Sequence, residues 1–137
     1  MTDWNEFNRP VIDEFRQTGG EVGGTFKGAP MILITHTGAK SGTTYTTPLV
    51  YTRDGDRYVV IASKGGAPAH PLWFGNLVAN PDVTIEVGTE RFPARARVTE
   101  GDERARLFRA QADLMPNFDD YAKATSREIP VVVLERV

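Results

Sequence analysis

Lys40 and Lys64 each stand in a short turn of small residues, Thr37-Gly38-Ala39-Lys40-Ser41-Gly42 in one case and Ser63-Lys64-Gly65-Gly66 in the other. A phosphate or carboxylate needs positive charge together with several N–H or O–H donors, and lysine beside glycine and serine supplies both. The glycines free backbone N–H groups to approach a ligand. The helix that opens after the second turn, at His70-Pro71, adds a positively polarised N-terminus. Taken jointly, the two turns read as a cradle for an anion. Taken singly, each lysine reads as a solvated turn residue.

Other chemistries are poorly provided for. The chain has no cysteine, which excludes disulfides, thiolate catalysis and Cys-ligated metals. His36 and His70 lie far apart and neither has an i, i+4 partner, so no metal site is expected. No G-x-S-x-G elbow, G-x-G-x-x-G loop or Walker motif occurs, and the acidic residues fall on helix surfaces and turns. An enzyme built this way takes its reactivity from a bound cofactor, while the chain supplies position and electrostatics. The net charge of −2 removes the usual electrostatic reason to expect a nucleic-acid partner. There is no basic-then-apolar leader, and no run approaches the roughly 20 apolar residues that cross a bilayer, so the expected setting is cytoplasmic.

The elements that must position these turns follow from periodicity. At 137 residues the chain fits a single domain, 1–137, that buries roughly two thirds of its unfolded surface. Trp4, Phe7, Val11 and Phe15, spaced by three and four after a Thr2 or Asp3 cap, predict an amphipathic helix within 1–20 that stops at Gly19-Gly20. Its stripe packs on the body in the plainest reading; a pocket cover, a membrane surface and a second subunit are the other uses open to it. From Met31 onward the pattern is of strands. Met31–Ile34, Thr43–Arg53, Arg57–Ala62, Val83–Val87, Arg91–Thr99 and Ile129–Leu134 are β-rich, with Asp54-Gly55 a strong hairpin signal and Pro48 restricted to an edge or a bulge. Helices are predicted at Pro71–Ala79, after Gly101 with Leu107, Phe108 and Ala112 on one face, and around Phe118–Ala124. The result is a mainly β (α+β) chain of six hairpin-connected strands rolled into a small antiparallel barrel, with three or four helices outside. The Lys40 and Lys64 turns then fall at one end of the sheet.

At this point THTGAKSG, TTPLVY, ASKGGAPAHPLWFGNLVANP and the late IPVVVLER, in this order, resemble the deazaflavin (F420)-dependent nitroreductase family of actinobacteria, over roughly Met31–Arg136. The resemblance implies a split β-barrel related to the FMN-binding barrels, occupying 31–137, and coenzyme F420 as cofactor, a deazaflavin with a phosphate-linked lactyl-oligoglutamate tail. Carried over by position, it implies that Ala39, Lys40 and Ser41 meet the anionic tail. Tyr45, Thr46, Thr47, Pro48, Leu49 and Val50 line the groove; Ile61, Ala62, Ser63 and Lys64, with Leu72, Trp73, Phe74, Gly75 and Asn76, hold the ring and its side chain. Trp73 is a pocket wall in that reading and simple core in the plainer one. Many members place an arginine before the first-turn lysine, where this chain has Ala39, which leaves tail binding weaker or dependent on another basic residue. The segment before the last strand carries Met115, Phe118 and Tyr121 where the best-known branch has tyrosines, so only Tyr121 keeps a phenol; the pocket suits a planar, hydrophobic acceptor.

The function so implied is an F420H2-dependent oxidoreductase passing hydride to a planar, electron-poor small molecule such as a quinone, enone or nitro compound. Ser63 and Tyr121 are the candidates to hydrogen-bond the negative charge arriving on the acceptor. Two alternatives stand beside it: a non-catalytic F420 carrier, and an FMN-binding split-barrel oxidoreductase. Monomer and homodimer are both open, as is peripheral membrane contact through the N-terminal helix.

Overall fold

The computed structural model describes residues 4–23, 28–66 and 69–137, with the backbone alone given for 4–7. The Thr2 or Asp3 cap, the Trp4 and Phe7 side chains, part of the glycine-rich link before Ala29, and Ala67-Pro68 fall outside that description. The chain runs α1 (Trp4–Thr18), β1 (Met31–Thr37), β2 (Thr44–Val50), β3 (Thr52–Asp54), β4 (Arg57–Ile61), a 3-10 turn (Lys64–Gly66), α2 (Leu72–Ala79), β5 (Asp82–Val87), β6 (Glu90–Val98), α3 (Gly101–Leu114), α4 (Asn117–Ala124) and β7 (Val131–Arg136). No helix among the described residues is long and apolar enough to cross a membrane.

The seven strands pair in the order β2-β1-β5-β6-β7-β4-β3, every pairing antiparallel. The two ends of that order are neighbours in sequence, separated by Tyr51 alone. β2 and β3 therefore form one bent strand that pairs with β1 through its first part and with β4 through its last, and the sheet must curl until these edges meet. Six strands close the barrel once the bent one is counted as a single strand, which is the architecture expected from the sequence. Pro48 sits on this outermost strand, opposite Leu33, where a missing N–H is tolerated. The β3–β4 hairpin pairs Asp54 with Arg57 around Gly55-Asp56, and Gly55 takes a φ of 61°, the left-handed conformation that a two-residue hairpin needs first.

The alternation of each strand explains the core. Ile32 and Ile34, Val60 and Ala62, Val83 and Ile85, Phe92 and Ala94, and Val132 and Leu134 point into the barrel, joined there by Trp73 and Leu77 of α2. The other faces of β4 and β7, with Val59, Ile61, Val131 and Val133, lie under Leu107, Phe108 and Ala112 of α3 and Phe118 of α4. β1 turns Met31 and Leu33 toward Ile12 and Phe15 of α1. Strands covered on both faces read as unbroken apolar runs, MILI, VVI and VVVL, whereas β6, open on one side, alternates Phe92, Ala94 and Ala96 with Pro93, Arg95 and Arg97. On α1 the buried pair is Ile12 and Phe15, with Val11 only partly covered, and Arg16 holds Glu86 of β5 through Nε and Nη2 at 3.0 and 2.9 Å. The helix stripe is thus packed on the body.

Candidate functional site

Strand direction places the two lysine turns. Four antiparallel steps, β1 to β5 to β6 to β7 to β4, restore the original direction, so β1 and β4 run the same way and their C-terminal ends share one end of the barrel. The Lys40 turn follows β1 and the Lys64 turn follows β4.

The first turn is held by Gly38 donating to the Thr43 carbonyl at 2.8 Å and by Gly42 donating to the Gly38 carbonyl at 3.1 Å. A Cβ on Gly38 would lie 2.6 Å from Ser41 Oγ and 3.1 Å from the Tyr45 ring, so any larger residue would displace the Ser41 hydroxyl. Ser41 Oγ accepts from the Thr43 N–H at 3.1 Å, which leaves its own hydrogen to be given elsewhere. Ala39 N–H is already committed, donating to Asn76 Oδ1 of α2 at 2.9 Å. The donors left to an anion are those of Lys40 and Ser41.

In the second turn Lys64 itself takes a φ of 49°, the one non-glycine in the left-handed region among the described residues. Lysine has no local reason to adopt that conformation, and such departures persist where surrounding structure enforces them. The enforcement is visible on both sides. Gly66, with φ of 81°, packs against α4 so closely that a Cβ would stand 2.8 Å from Ala124 Cβ. Arg127 donates from Nη2 to the Ser63 carbonyl at 2.7 Å, and from Nη1 to the Ala62 carbonyl at 3.2 Å and to His70 Nδ1 at 2.8 Å. Burial pulls the Arg127 pKa below its ordinary value. Ser63 is only 8% exposed, and its hydroxyl has no protein partner among the described residues. The ion pairs seen among the described residues are all made by arginines, so Lys40 and Lys64 both stay uncommitted.

The remaining candidate residues divide. Tyr45 to Val50 form β2, half-buried beside β1, with the Tyr45 ring stacked on His36 at 5.8 Å between centroids. Trp73 is buried inside the barrel, whereas Leu72, 71% exposed, looks outward. Leu72, Phe74 and Gly75, with His70, Pro71, Val78 and Ala79, line an open, largely apolar groove of about 460 Å³ on the outer side of α2. Ile61 and Ala62 are core residues leading into the Lys64 turn. Met115 and Phe118 pack with α3 and the outer faces of β4 and β7, Phe118 as a buried member of that cluster. Tyr121 joins its margin, ring edge against Phe118 at 5.3 Å, and its hydroxyl accepts from Asn117 Nδ2 at 2.9 Å, so the phenol hydrogen stays available. Its backbone meets the Lys64 turn through Gly66.

Two residues of the site carried no sequence signal. His36 is buried at 3% exposure between β2 and α2 and bridges Asn76 and Thr47, at 3.2 and 2.8 Å. Burial lowers its pKa to about 4, so the ring is neutral. Arg127 lies in a polar connection, and its partners are more than fifty residues away in sequence.

An anionic, planar ligand suits this donor set: uncommitted lysines on two turns at one barrel end, hydroxyls with hydrogens to give, and glycines whose missing Cβ atoms bring backbone close. The comparisons with known proteins agree with it. A family model described as F420H(2)-dependent quinone reductase matches residues 7–136. An F420H(2)-dependent quinone reductase of Mycobacterium tuberculosis is 46% identical over 126 residues, which cover 89% of this chain and 85% of that protein. The solved structure of an F420-H2 dependent reductase, FDR-A, superposes with a TM-score of 0.72 at 39% identity, covering 77% of this chain and 94% of that one. A solved domain-swapped dimer reaches 0.74 at 36% identity, covering 97% and 98%.

Proposed function

This chain belongs to the F420H(2)-dependent quinone reductase family and is an F420H2-dependent oxidoreductase, and on that premise we propose that it holds the cofactor across the barrel end where the Lys40 and Lys64 turns meet. F420H2, when bound, supplies the hydride. Everything else in this reading is done by the chain. Lys40, Ser41 and Lys64 hold the anionic tail by charge and by N–H and O–H donation. Ile61 to Lys64 on one side and Leu72 to Asn76 on the other confine the ring, with β2 as the groove wall. Ser63 and Tyr121 each keep a hydroxyl hydrogen that can be given to an acceptor oxygen as it gains negative charge, and a donor fixed beforehand stabilises that charge without reorganisation. The substrate class that fits is a planar, electron-poor small molecule, a quinone first among them.

The observation that carries the reading is the strand parity that sets two uncommitted lysines at one end of the barrel. A cytoplasmic setting belongs to the proposal, with α1, whose Ile12 and Phe15 are committed to β1, assigned to the body rather than to a membrane. The domain-swapped relative supports a homodimer, which light scattering on the purified protein tests.

The test of the site is fluorescence titration of oxidised F420 into the parent, Lys40→Ala and Lys64→Ala proteins, followed by reduced F420 with a panel of quinones and enones. Saturable binding with turnover of at least one quinone is expected. Binding without turnover of any acceptor would return the chain to the carrier reading, and loss of binding in neither lysine variant would move the tail elsewhere.

A further inference from the structure

The hydrogen-bond partners of His36 fix the proton positions of its ring in a relay that joins the Lys40 turn, α2, β1 and β2. A backbone N–H can only donate, so the Asn76 oxygen must be the atom facing Ala39, at 2.9 Å. The Asn76 amino group is then the atom 3.2 Å from His36 Nδ1, which must accept. A neutral imidazole with a bare Nδ1 carries its hydrogen on Nε2, and that hydrogen is given to Thr47 Oγ1 at 2.8 Å. Having accepted there, Thr47 keeps its own hydroxyl hydrogen, which finds no acceptor among the described residues, and its side chain is only partly covered.

We propose that His36 is a positioning residue that, in its Nε2–H form, donates to the Thr47 hydroxyl and so leaves and orients its hydrogen for an acceptor oxygen or nitrogen of the bound deazaflavin, while locking α2 to the Lys40 turn through Asn76. The inference rests on the proposed cofactor groove, since it is there that the hydrogen of Thr47 meets a ligand. It adds a donor to that groove: this wall favours a ligand that presents an acceptor there, since the Thr47 hydroxyl hydrogen is then paired. The burial of the ring supports the assignment, since a charged imidazole would carry a hydrogen on Nδ1 as well, and the Asn76 amino group that faces it offers no acceptor.

Two measurements decide it. Nitrogen NMR of the histidine rings at neutral pH reads the tautomer, and His36 protonated on Nε2 alone is expected; a hydrogen on Nδ1 overturns the proposal whatever the cofactor does. F420 titration reads the consequence. Thr47→Val and His36→Phe each weaken binding about fivefold, the double variant is no weaker than either alone, and His36→Gln, which carries one acceptor and one donor, returns binding to within about twofold of the parent. If His36→Phe fails to fold, His36→Gln and Thr47→Val carry the comparison. A folded Thr47→Val protein with parental affinity overturns the donor role and leaves the cradle standing, as long as Lys64→Ala still weakens binding. Failure of the parent itself to bind F420 would instead bring down the site and the donor role together.

Discussion

Gly66 and Tyr121 are in backbone contact: a Cβ placed on Gly66 would come 2.9 Å from the Tyr121 carbonyl oxygen and 3.1 Å from its Cα. The Lys64 turn is therefore seated on α4, and the conformation of one cannot change without the other. Gly66→Ala is expected to cost about 2–3 kcal/mol, from left-handed backbone strain together with the clash. Gly42→Ala, also left-handed but with open space around the added carbon, costs only about 1 kcal/mol. Chemical denaturation of both variants reads the difference, and equal costs would mean that the contact with α4 is absent in solution.

Lys64 combines an enforced backbone with an uncommitted charge, so replacing it separates stability from binding. Lys64→Gly should leave stability unchanged or raise it by up to about 1 kcal/mol, since glycine accepts the φ of 49° freely. The same variant should weaken F420 about tenfold, and added salt should narrow the gap from the parent. Thermal unfolding and cofactor titration on one preparation check both statements.

Arg127 fixes the carbonyls of Ala62 and Ser63 with a planar fork, and a lysine offers a single point of charge in its place. Arg127→Lys is expected to lose most of what Arg127→Ala loses, about 1–3 kcal/mol of stability, along with cofactor affinity. A lysine variant indistinguishable from the parent would reduce Arg127 to its charge.

The buried His36 makes stability depend on pH in a defined window. The unfolded chain binds a proton near the ordinary value of 6.5, while the folded ring does so only near 4. The unfolded state thus gains protons first as pH falls. Stability is complete above the higher value and declines toward the lower one, by about 3 kcal/mol in all. Asp54 and Glu103, which arginine partners hold down to about 2, lose their contribution as pH falls from ordinary carboxylate values toward that point, below most of the His36 window. His36→Gln should flatten the upper part of the curve and leave the acid limb alone.

Tyr121→Phe removes the phenol hydrogen and keeps the ring edge on Phe118. Turnover of a quinone is expected to fall by about tenfold or more with F420 affinity unchanged. Loss in Ser63→Ala in place of Tyr121→Phe would assign the donor to the strand end.

What the sequence made legible is what depends on neighbours along the chain. The runs MILI and VVVL, the alternation from Phe92 to Arg97, the Asp54-Gly55 signal and the confinement of Pro48 all follow from spacing, and each appears in the fold. Even the shared end of the lysine turns follows from counting reversals. His36 and Arg127 were not legible, because their work is defined by partners on other elements, 11 and 40 residues away for His36 and 57 to 65 for the Arg127 guanidinium, and by burial that no local pattern announces. A lone histidine in a Thr-His-Thr strand and an arginine in a polar stretch look like any others. On α1 the expected Phe15 is the deepest described residue, but its buried neighbour is Ile12, one position from the expected Val11, which is only partly covered.

The bent strand at Tyr51 also bears on how copies of this chain tolerate crowding. A flat sheet ends in two open ladders that invite another chain to pair, whereas here both ends of the order are halves of one strand, and the exposed ladder is reduced to the outer rims of β2 and β3. The longer rim carries Pro48 near its middle, which has no N–H to offer an incoming strand. Resistance to sheet-to-sheet aggregation is thus written into the same turn of the chain that closes the barrel.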